Sequence, residues 1–349
     1  MINLKKIQDA DLEGKKVLLR LDLDTPVEEG EIIDDSRLES SLETLNLLLT
    51  KAQKIIIIGH LGRPEGKDEK FSLKPIAEWF SKHFETELKE INVGDFDAFE
   101  IGDKIILLEN LRFYKEEEDP STSSGQEFSK KLSSLADIYV NDAFAVSHRP
   151  HASIVGIPKF IPSFAGLRLQ KEVEELSKIL ENPDRPLTII IGGAKIETKL
   201  PLVEKMHFFA DYVLVGGEIA EHVRELAKVA HDKLENKKSI LLVADLTSDN
   251  EDISEVSIQN FIQVINNSKT IVWNGPMGEF EKGFDKGTKE IAKAVANSNA
   301  YTIVGGGETI EFCKKEGLLD KFSFVSTGGG AMLEFLSGSK LPGLEAISV

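Results

Sequence analysis

A chain of 349 residues, 41% of them apolar, is long enough for two buried cores, and length alone predicts roughly two domains. Its 42 basic against 59 acidic side chains give a formal charge of -17, which argues against nucleic acid or anionic membrane as a partner of the general surface; an anionic ligand needs a local basic pocket. The single cysteine, Cys313, excludes an intrachain disulfide and a cysteine-rich metal site. With a charged amino terminus and no apolar run near the length of a membrane span, a soluble, unprocessed, cytoplasmic protein is expected.

In chain order, short apolar runs at Val17 to Arg20, Ile55 to Ile58, Ile105 to Leu108 and Ile138 to Val140 read as strands buried on both faces. Between them Leu38, Leu42, Leu45 and Leu49, then Ile76, Trp79, Phe80 and Phe84, recur at helical spacing, so strand and helix alternate and a parallel sheet is predicted. The polar stretch Glu116 to Gln126 reads as a solvated turn. Five of the eight arginines precede residue 150, and Arg20, Arg63, Arg112 and Arg149 closely follow a strand. The carboxyl ends of parallel strands line one crevice, so these residues, with Arg37 and His60, predict a basic site for a small polyanion. His148 and His151 flank Pro150, which opposes a helix, and no third ligand is evident nearby; loop hydrogen bonding is expected rather than metal.

From Pro162 to Asn182 the apolar residues Leu169, Val173, Leu176 and Leu180 fall on one helical stripe, with Ser163 as the expected N-cap and Pro183 as the stop. Six further apolar runs follow, at Thr188 to Ile191, Val213 to Val215, Ile240 to Val243, Thr270 to Trp273, Tyr301 to Val304 and Phe322 to Val325, which predict a second sheet. Most end in glycine-bearing turns: Gly192-Gly193-Ala194-Lys195, Gly216-Gly217, Asn274-Gly275-Pro276, Gly305-Gly306-Gly307-Glu308-Thr309 and Thr327-Gly328-Gly329-Gly330. Several such turns on one sheet edge, with Lys195 and Lys199 beside the first, predict backbone amides aimed at nucleotide phosphates. No Walker motif and no GxGxxG fingerprint is present, which argues against a P-loop fold and a dehydrogenase.

These motifs resemble the phosphoglycerate kinase family, in the family's order and over nearly the whole chain. Arg20-Leu21-Asp22-Leu23-Asp24-Thr25-Pro26 looks like the family's RxDxNVP, and Gly59 to Pro64, Leu108 to Phe113, Asn141 to His151, Gly192 to Lys195, Trp273 to Gly278, the glycines from Gly305, Ser326 to Gly330 and Leu341 to Ala346 are similar to its other motifs. The resemblance implies two doubly wound parallel-sheet, Rossmann-like lobes: a phosphoglycerate-binding lobe over 1–161, an interdomain helix over 162–183, a nucleotide-binding lobe over 184–333, and a tail over 334–349 returning to the first lobe. It implies reversible phosphoryl transfer between 1,3-bisphosphoglycerate and ADP, giving 3-phosphoglycerate and ATP, with Mg2+ carried by the nucleotide. A monomer whose hinge closes on both ligands is expected.

Carried over by position, the resemblance implies that Asp22, Asp24, Arg37, His60, Arg63, Arg112 and Arg149 hold the phosphoglycerate, with Arg37 facing the transferring phosphoryl. Lys195, Lys199, Gly216, Gly217, Pro276, Glu281, Gly305, Gly306, Gly307, Glu308 and Thr309 would hold the nucleotide, Glu281 at the ribose and Glu308 at the magnesium. Arg37, Lys195, Gly306 and Gly329 would act on the transferring group. The chain departs from the family pattern at Asp24, where the family has asparagine, and at Glu308, where it has aspartate; the stretches Gly217 to Ser239 and Asp245 to Thr270 are shorter than usual. A non-catalytic phosphometabolite-binding protein with a degenerate nucleotide lobe is the alternative from another class. A related kinase with a different donor nucleotide or acyl phosphate is a third.

Overall fold

The apolar runs become the strands of two separate sheets in the computed structural model, which describes residues 2–194, 196–229 and 239–349. Two compact units result, Met1–Glu174 with Lys340–Val349, and Glu175–Ser339. No helix among the described residues is long and apolar enough to cross a membrane.

The first unit contains strands β1 (Lys16–Arg20), β2 (Val27–Glu28), β3 (Glu31–Ile32), β4 (Lys54–Ile58), β5 (Leu88–Val93), β6 (Phe96–Ile101), β7 (Ile105–Leu108), β8 (Ile138–Asn141) and β9 (Ser163–Ala165). Its main sheet has the order β5-β6-β7-β4-β1-β8-β9, parallel from β7 to β9. The two-residue period of a strand sends alternate side chains to opposite faces. Accordingly Val17, Leu19, Ile55, Ile57, Ile105 and Leu107 enter one core, and Leu18, Ile56, Ile58, Ile106 and Leu108 the other. Helices α1 (Ser36–Lys51) and α2 (Lys74–His83) cover the first face with Leu38, Leu45, Leu48, Ile76 and Phe80. Helix α3 (Ser123–Ser133) covers the second with Phe128 and Leu132. Burying each such side chain contributes roughly 1.5–3 kcal/mol.

Three expectations for this unit are corrected. The sheet is mixed, because β5 and β6 form an antiparallel hairpin on its β7 edge; β5 is largely exposed, and polar Asp97 and Glu100 interrupt the mostly buried β6, so neither reads as a continuous apolar run. The stretch from Glu116 to Gln126 is a solvated turn only over 118–122: Lys115–Glu117 is a 3-10 turn with Glu117 fully buried, and α3 begins at Ser123, where the Thr122 hydroxyl caps the amide of Gly125. The expected helix from 162 divides into strand β9 and helix α4 (Leu167–Glu181). Ser163 pairs in the sheet opposite Tyr139 instead of capping. The caps come from a distance: Thr44 Oγ accepts from Leu167 N at 2.9 Å and Asp142 Oδ1 from Leu169 N at 3.0 Å. Gly166 permits this approach, since a Cβ there would lie 2.2 Å from Asp142 Oδ1.

The second unit continues with β10 (Leu187–Ile191), β11 (Tyr212–Val215), β12 (Ile240–Val243), β13 (Thr270–Asn274), β14 (Tyr301–Gly305) and β15 (Phe324–Ser326), all parallel in the order β12-β11-β10-β13-β14-β15. Helices α5 (Ile196–Met206), α6 (Ile219–Val229), α7 (Glu255–Asn267), α8 (Lys286–Ala296), α9 (Gly307–Lys315) and α10 (Gly330–Leu336) alternate with them. Ile190, Leu214, Ile271, Trp273 and Val304 pack with Ile258, Phe261, Ile291 and Val295 from α7 and α8. After α10 the chain returns to the first unit through α11 (Pro342–Glu345), where Gly343 N donates to Ser147 O and Lys5 N to Ile347 O.

Burial raises the Asp142 carboxyl to about 6, against hydrogen bonds from Thr44 and Leu169 that lower it. A carboxyl raised in the folded state binds a proton that the unfolded chain releases, so its contribution is full below the unfolded value and is lost as pH rises through about 6. The loss is on the order of 2–3 kcal/mol. Asp142→Asn should therefore gain stability over the parent as pH rises from 4 to 7 in denaturant titrations. Parallel pH profiles for the two proteins would contradict this.

Candidate active site

Strands β7, β4, β1 and β8 are parallel, so the loops leaving Leu108, Ile58, Arg20 and Asn141 emerge along one edge of the first sheet. Two buried side chains tie these loops together. Asn110 gives Nδ2 to the carbonyls of Leu61 (2.7 Å) and Phe71 (2.8 Å) while its Oδ1 accepts from Arg112 N (3.0 Å). Glu109 accepts from Leu73 N (2.7 Å), Ser72 Oγ (2.6 Å) and Asn110 N (2.7 Å). Gly62, at φ +62°, is the node between them: its amide donates to Asp24 Oδ1 at 2.8 Å, and its carbonyl accepts from Arg112 Nη1 at 2.6 Å.

On this scaffold Arg37, at the start of α1, makes an ion pair with Asp22 at 3.6 Å and donates to the Asp24 carbonyl. Asp22 is buried with neither carboxylate oxygen hydrogen-bonded, and burial raises its pKa against the pull of Arg37. Asp24 is 42% exposed, with Oδ2 3.9 Å from His60 Nε2. Arg63 is exposed and Arg149 half-buried, its Nε donating to His148 Nε2 at 3.3 Å. Arg112 is buried; its Nε lies 3.2 Å from Glu118 Oε1 without a hydrogen bond, and its Nη2 has no hydrogen-bond partner among the described residues.

Arg20 differs from what its position after β1 suggested. It has no exposed surface, and its guanidinium donates to Ser153 Oγ (3.0 Å), His60 Nδ1 (2.9 Å) and the Leu21 carbonyl, so it braces the loops instead of lining a basic crevice. Burial first, then the charges of Arg20 and Arg112, hold His60 well below its ordinary value. His151 is pushed down to about 3 and His148 to about 4, chiefly by burial. The loop hydrogen bonding expected of these two is met at His148 Nε2; His151 Nδ1 has no partner among the described residues and stands 3.8 Å from Glu117 Oε1.

In the second unit the glycine turns follow the carboxyl ends of β10, β11, β13, β14 and β15, and they divide into two kinds. Some are glycine because loops touch. A Cβ on Gly192 would meet the Pro276 carbonyl at 2.1 Å, on Gly217 the Gly193 nitrogen at 2.6 Å, on Gly275 the Gly192 carbonyl at 2.1 Å, and on Gly216 the Met277 sulfur at 2.6 Å. Gly305 likewise sits under Met332. Others face open space: Gly307, Gly329 and Gly330 have nothing within 4 Å of a built Cβ. Gly306 (φ +94°) and Gly329 (φ +48°) precede α9 and α10, and Asn274 Nδ2 donates to Gly329 O at 3.2 Å.

Lys199 Nζ donates to the Gly192 carbonyl, and Thr309 Oγ accepts from Gly275 N at 2.8 Å. Glu308 is exposed in the first turn of α9, and Glu281 is exposed in the turn Phe280–Lys282. Lys195 and part of the short stretch Gly217 to Ser239 lie outside the described residues. Sequence reasoning placed Glu109 and Asn110 in the Leu108 to Phe113 motif without reading their role, and it missed Glu117 and Ser153. Only tertiary contacts reveal the first two, while Glu117 is hidden within an acidic run that reads as surface.

The family profile described as phosphoglycerate kinase matches residues 7–251 and 227–339. A phosphoglycerate kinase of Finegoldia magna is 41% identical over 396 positions, with 99% of each chain covered, and that of Aquifex aeolicus is 38% identical over 393 positions, with 98% of each covered. Both alignments exceed the 349 residues of this chain, so these relatives carry residues that it lacks. Among solved structures, phosphoglycerate kinase from Coxiella burnetii has a TM-score of 0.78 at 34% identity, covering 99% of this chain and 98% of that one. The enzyme from Pyrococcus horikoshii OT3 has a TM-score of 0.84 at 28% identity, with the same coverage. With the order of its motifs, one mixed and one parallel sheet and full-length relatives in agreement, the chain belongs to the phosphoglycerate kinase family.

Proposed function

We propose that the carboxyl edge of the first sheet binds 3-phosphoglycerate or 1,3-bisphosphoglycerate through Asp22, Asp24, Arg37, His60, Arg63, Arg112 and Arg149. The observation that carries this reading is Arg112, a buried guanidinium with two nitrogens lacking hydrogen-bond partners on an edge shared with Arg37, His60 and Arg149. A buried donor without a partner costs about 1–3 kcal/mol, and a phosphate or carboxylate oxygen removes that cost. His60 is neutral and accepts from Arg20 at Nδ1, which leaves its Nε2–H as the donor to substrate.

The nucleotide is assigned to the glycine edge of the second unit. The open amides at Gly307, Gly329 and Gly330 suit phosphate oxygens, with Gly306 shaping the turn before them, while Gly216, Gly217, Pro276 and Gly305 form the packed floor. Lys199, Lys195 and Thr309 belong to the phosphate side and Glu281 to the ribose. Glu308 offers an exposed carboxylate, the hard oxygen donor that Mg2+ favours, so the residues present fit the metal with its nucleotide. The metal would neutralise phosphate charge. The protein acts alone as a monomer and in the cytoplasm on this reading.

The substrate carboxylate is already a nucleophile, so no general base is required: its oxygen forms the new bond to the terminal phosphorus of ATP as the bond to ADP breaks, or the reverse. Arg37 is assigned to the charge that develops on the transferring phosphoryl, together with Lys195, Gly306 and Gly329. Loss of one such donor typically costs about 3–4 kcal/mol. Arg37→Ala should therefore lower kcat about two to three decades with little change in the Michaelis constant for 3-phosphoglycerate. A variant altered only in that constant would remove Arg37 from the catalytic role.

Asp24 sets a carboxylate where the substrate's own anionic end is assigned. Two unit charges about 4 Å apart repel by roughly 4 kcal/mol at an effective dielectric of about 20. Asp24→Asn keeps an oxygen for the Gly62 amide and removes the charge. Solvent screens the 42% exposed Asp24 side chain and reduces this repulsion, so calorimetry should show 3-phosphoglycerate binding tighter by about one to two decades. Equal affinities in the two folded proteins would take Asp24 out of the site.

Glu308→Gln should weaken nucleotide binding in the presence of Mg2+ by about tenfold and leave metal-free nucleotide binding unchanged. A uniform loss in both conditions would count against Glu308 as the metal ligand.

A further inference from the structure

Glu117 has no exposed surface, and it lies outside the motifs quoted above. Its Oε1 accepts from Ser153 Oγ at 2.5 Å and its Oε2 from Ser153 N at 2.9 Å. The serine hydroxyl has one proton and donates it in the hydrogen bond to Glu117; toward Arg20 Nε, 3.0 Å away, Ser153 Oγ can only accept. The buried Tyr139 hydroxyl fixes the same residue by donating to Ser153 O at 2.6 Å. Arg20 Nη2 then meets His60 Nδ1 at 2.9 Å, and because a guanidinium has no acceptor, the imidazole must present a lone pair at Nδ1 and carry its proton on Nε2. Every donor in the chain Glu117, Ser153, Arg20, His60 thus has one direction.

We propose that Glu117 and Ser153 are positioning residues that act through Arg20 to lock His60 in the Nε2–H form, so that it meets an anionic substrate oxygen as a donor. This rests on the assignment of His60 to the substrate site. A free imidazole in water interconverts between tautomers, and the wrong one would turn a lone pair toward the bound anion. The guanidinium itself fixes the direction of the bond to His60; Glu117 anchors Ser153 from the buried end of the relay, and Ser153 holds the guanidinium where it meets Nδ1.

The test is nitrogen-15 NMR of the full chain labelled at histidine, with His60→Gln identifying its signals. The parent should show a protonated Nε2 and an unprotonated Nδ1 for His60, unchanged from pH 5 to 8. Glu117→Gln keeps the shape and Ser153→Ala removes only the hydroxyl; each should give averaged signals of a tautomer mixture and raise the Michaelis constant for 3-phosphoglycerate about tenfold, with kcat changed less. If Glu117→Gln does not fold, Ser153→Ala carries the test alone. An Nδ1–H form in the parent overturns the proposal, as does an unchanged tautomer in a folded variant. Released tautomers with no rise in the Michaelis constant also overturn it. Failure of the underlying assignment has a different signature: His60→Ala then leaves 3-phosphoglycerate affinity unchanged while the tautomer remains locked in the parent.

Discussion

Arg20 holds a permanent positive charge without exposed surface, in an interior where an unpaired ion costs several kcal/mol. The loops on the carboxyl edge of the first sheet are arranged around that constraint. The guanidinium reaches Ser153 beyond β8, His60 beyond β4 and the carbonyl of Leu21 beyond β1, so one side chain ties together three connections far apart in sequence. Glu117 accepts from Ser153, with burial raising its pKa against the pull of the Arg20 charge, and Asp22, which also feels Arg20, lies beside Arg37. The donors assigned to substrate therefore stand on a framework whose polarity is already set. Preorganisation of this kind serves a reaction in which the protein contributes alignment and charge stabilisation, not a proton transfer.

The second unit reaches preorganisation by another route. Gly192, Gly217 and Gly275 are small because backbone meets backbone; at Gly192 and Gly275 an added Cβ would lie about 2.1 Å from a carbonyl oxygen. That contact fixes the loops after β10, β11 and β13 as one floor. Gly307, Gly329 and Gly330 are free of such contacts and border open space at the starts of α9 and α10. A run of glycines thus has two physical meanings, and only the distances to neighbours separate them.

Much of the fold was legible because a parallel sheet buried on both faces leaves continuous apolar runs, as at Ile55 to Ile58 and Thr188 to Ile191. The hairpin β5–β6, with an exposed outer strand and a second strand interrupted by Asp97 and Glu100, leaves no such run and was missed. Ser163 looked like a cap because caps are usually local, whereas Thr44 and Asp142 cap α4 from other elements. The arginines after strands pointed to the loop edge, yet nothing local distinguishes Arg20, which faces inward, from Arg63, which is exposed. Glu117 was hidden for the same reason: an acidic run reads as solvated, and its burial depends on Ser153 and Arg20 far along the chain.

Phosphoglycerate kinase activity in a chain shorter than its relatives is the central claim, and turnover tests it most directly. The purified chain should be given 1,3-bisphosphoglycerate, ADP and Mg2+, with ATP and 3-phosphoglycerate both measured over time. The account predicts the two products in equal amounts, at a rate that depends on both substrates. Binding of either substrate by the folded protein without formation of ATP would contradict it.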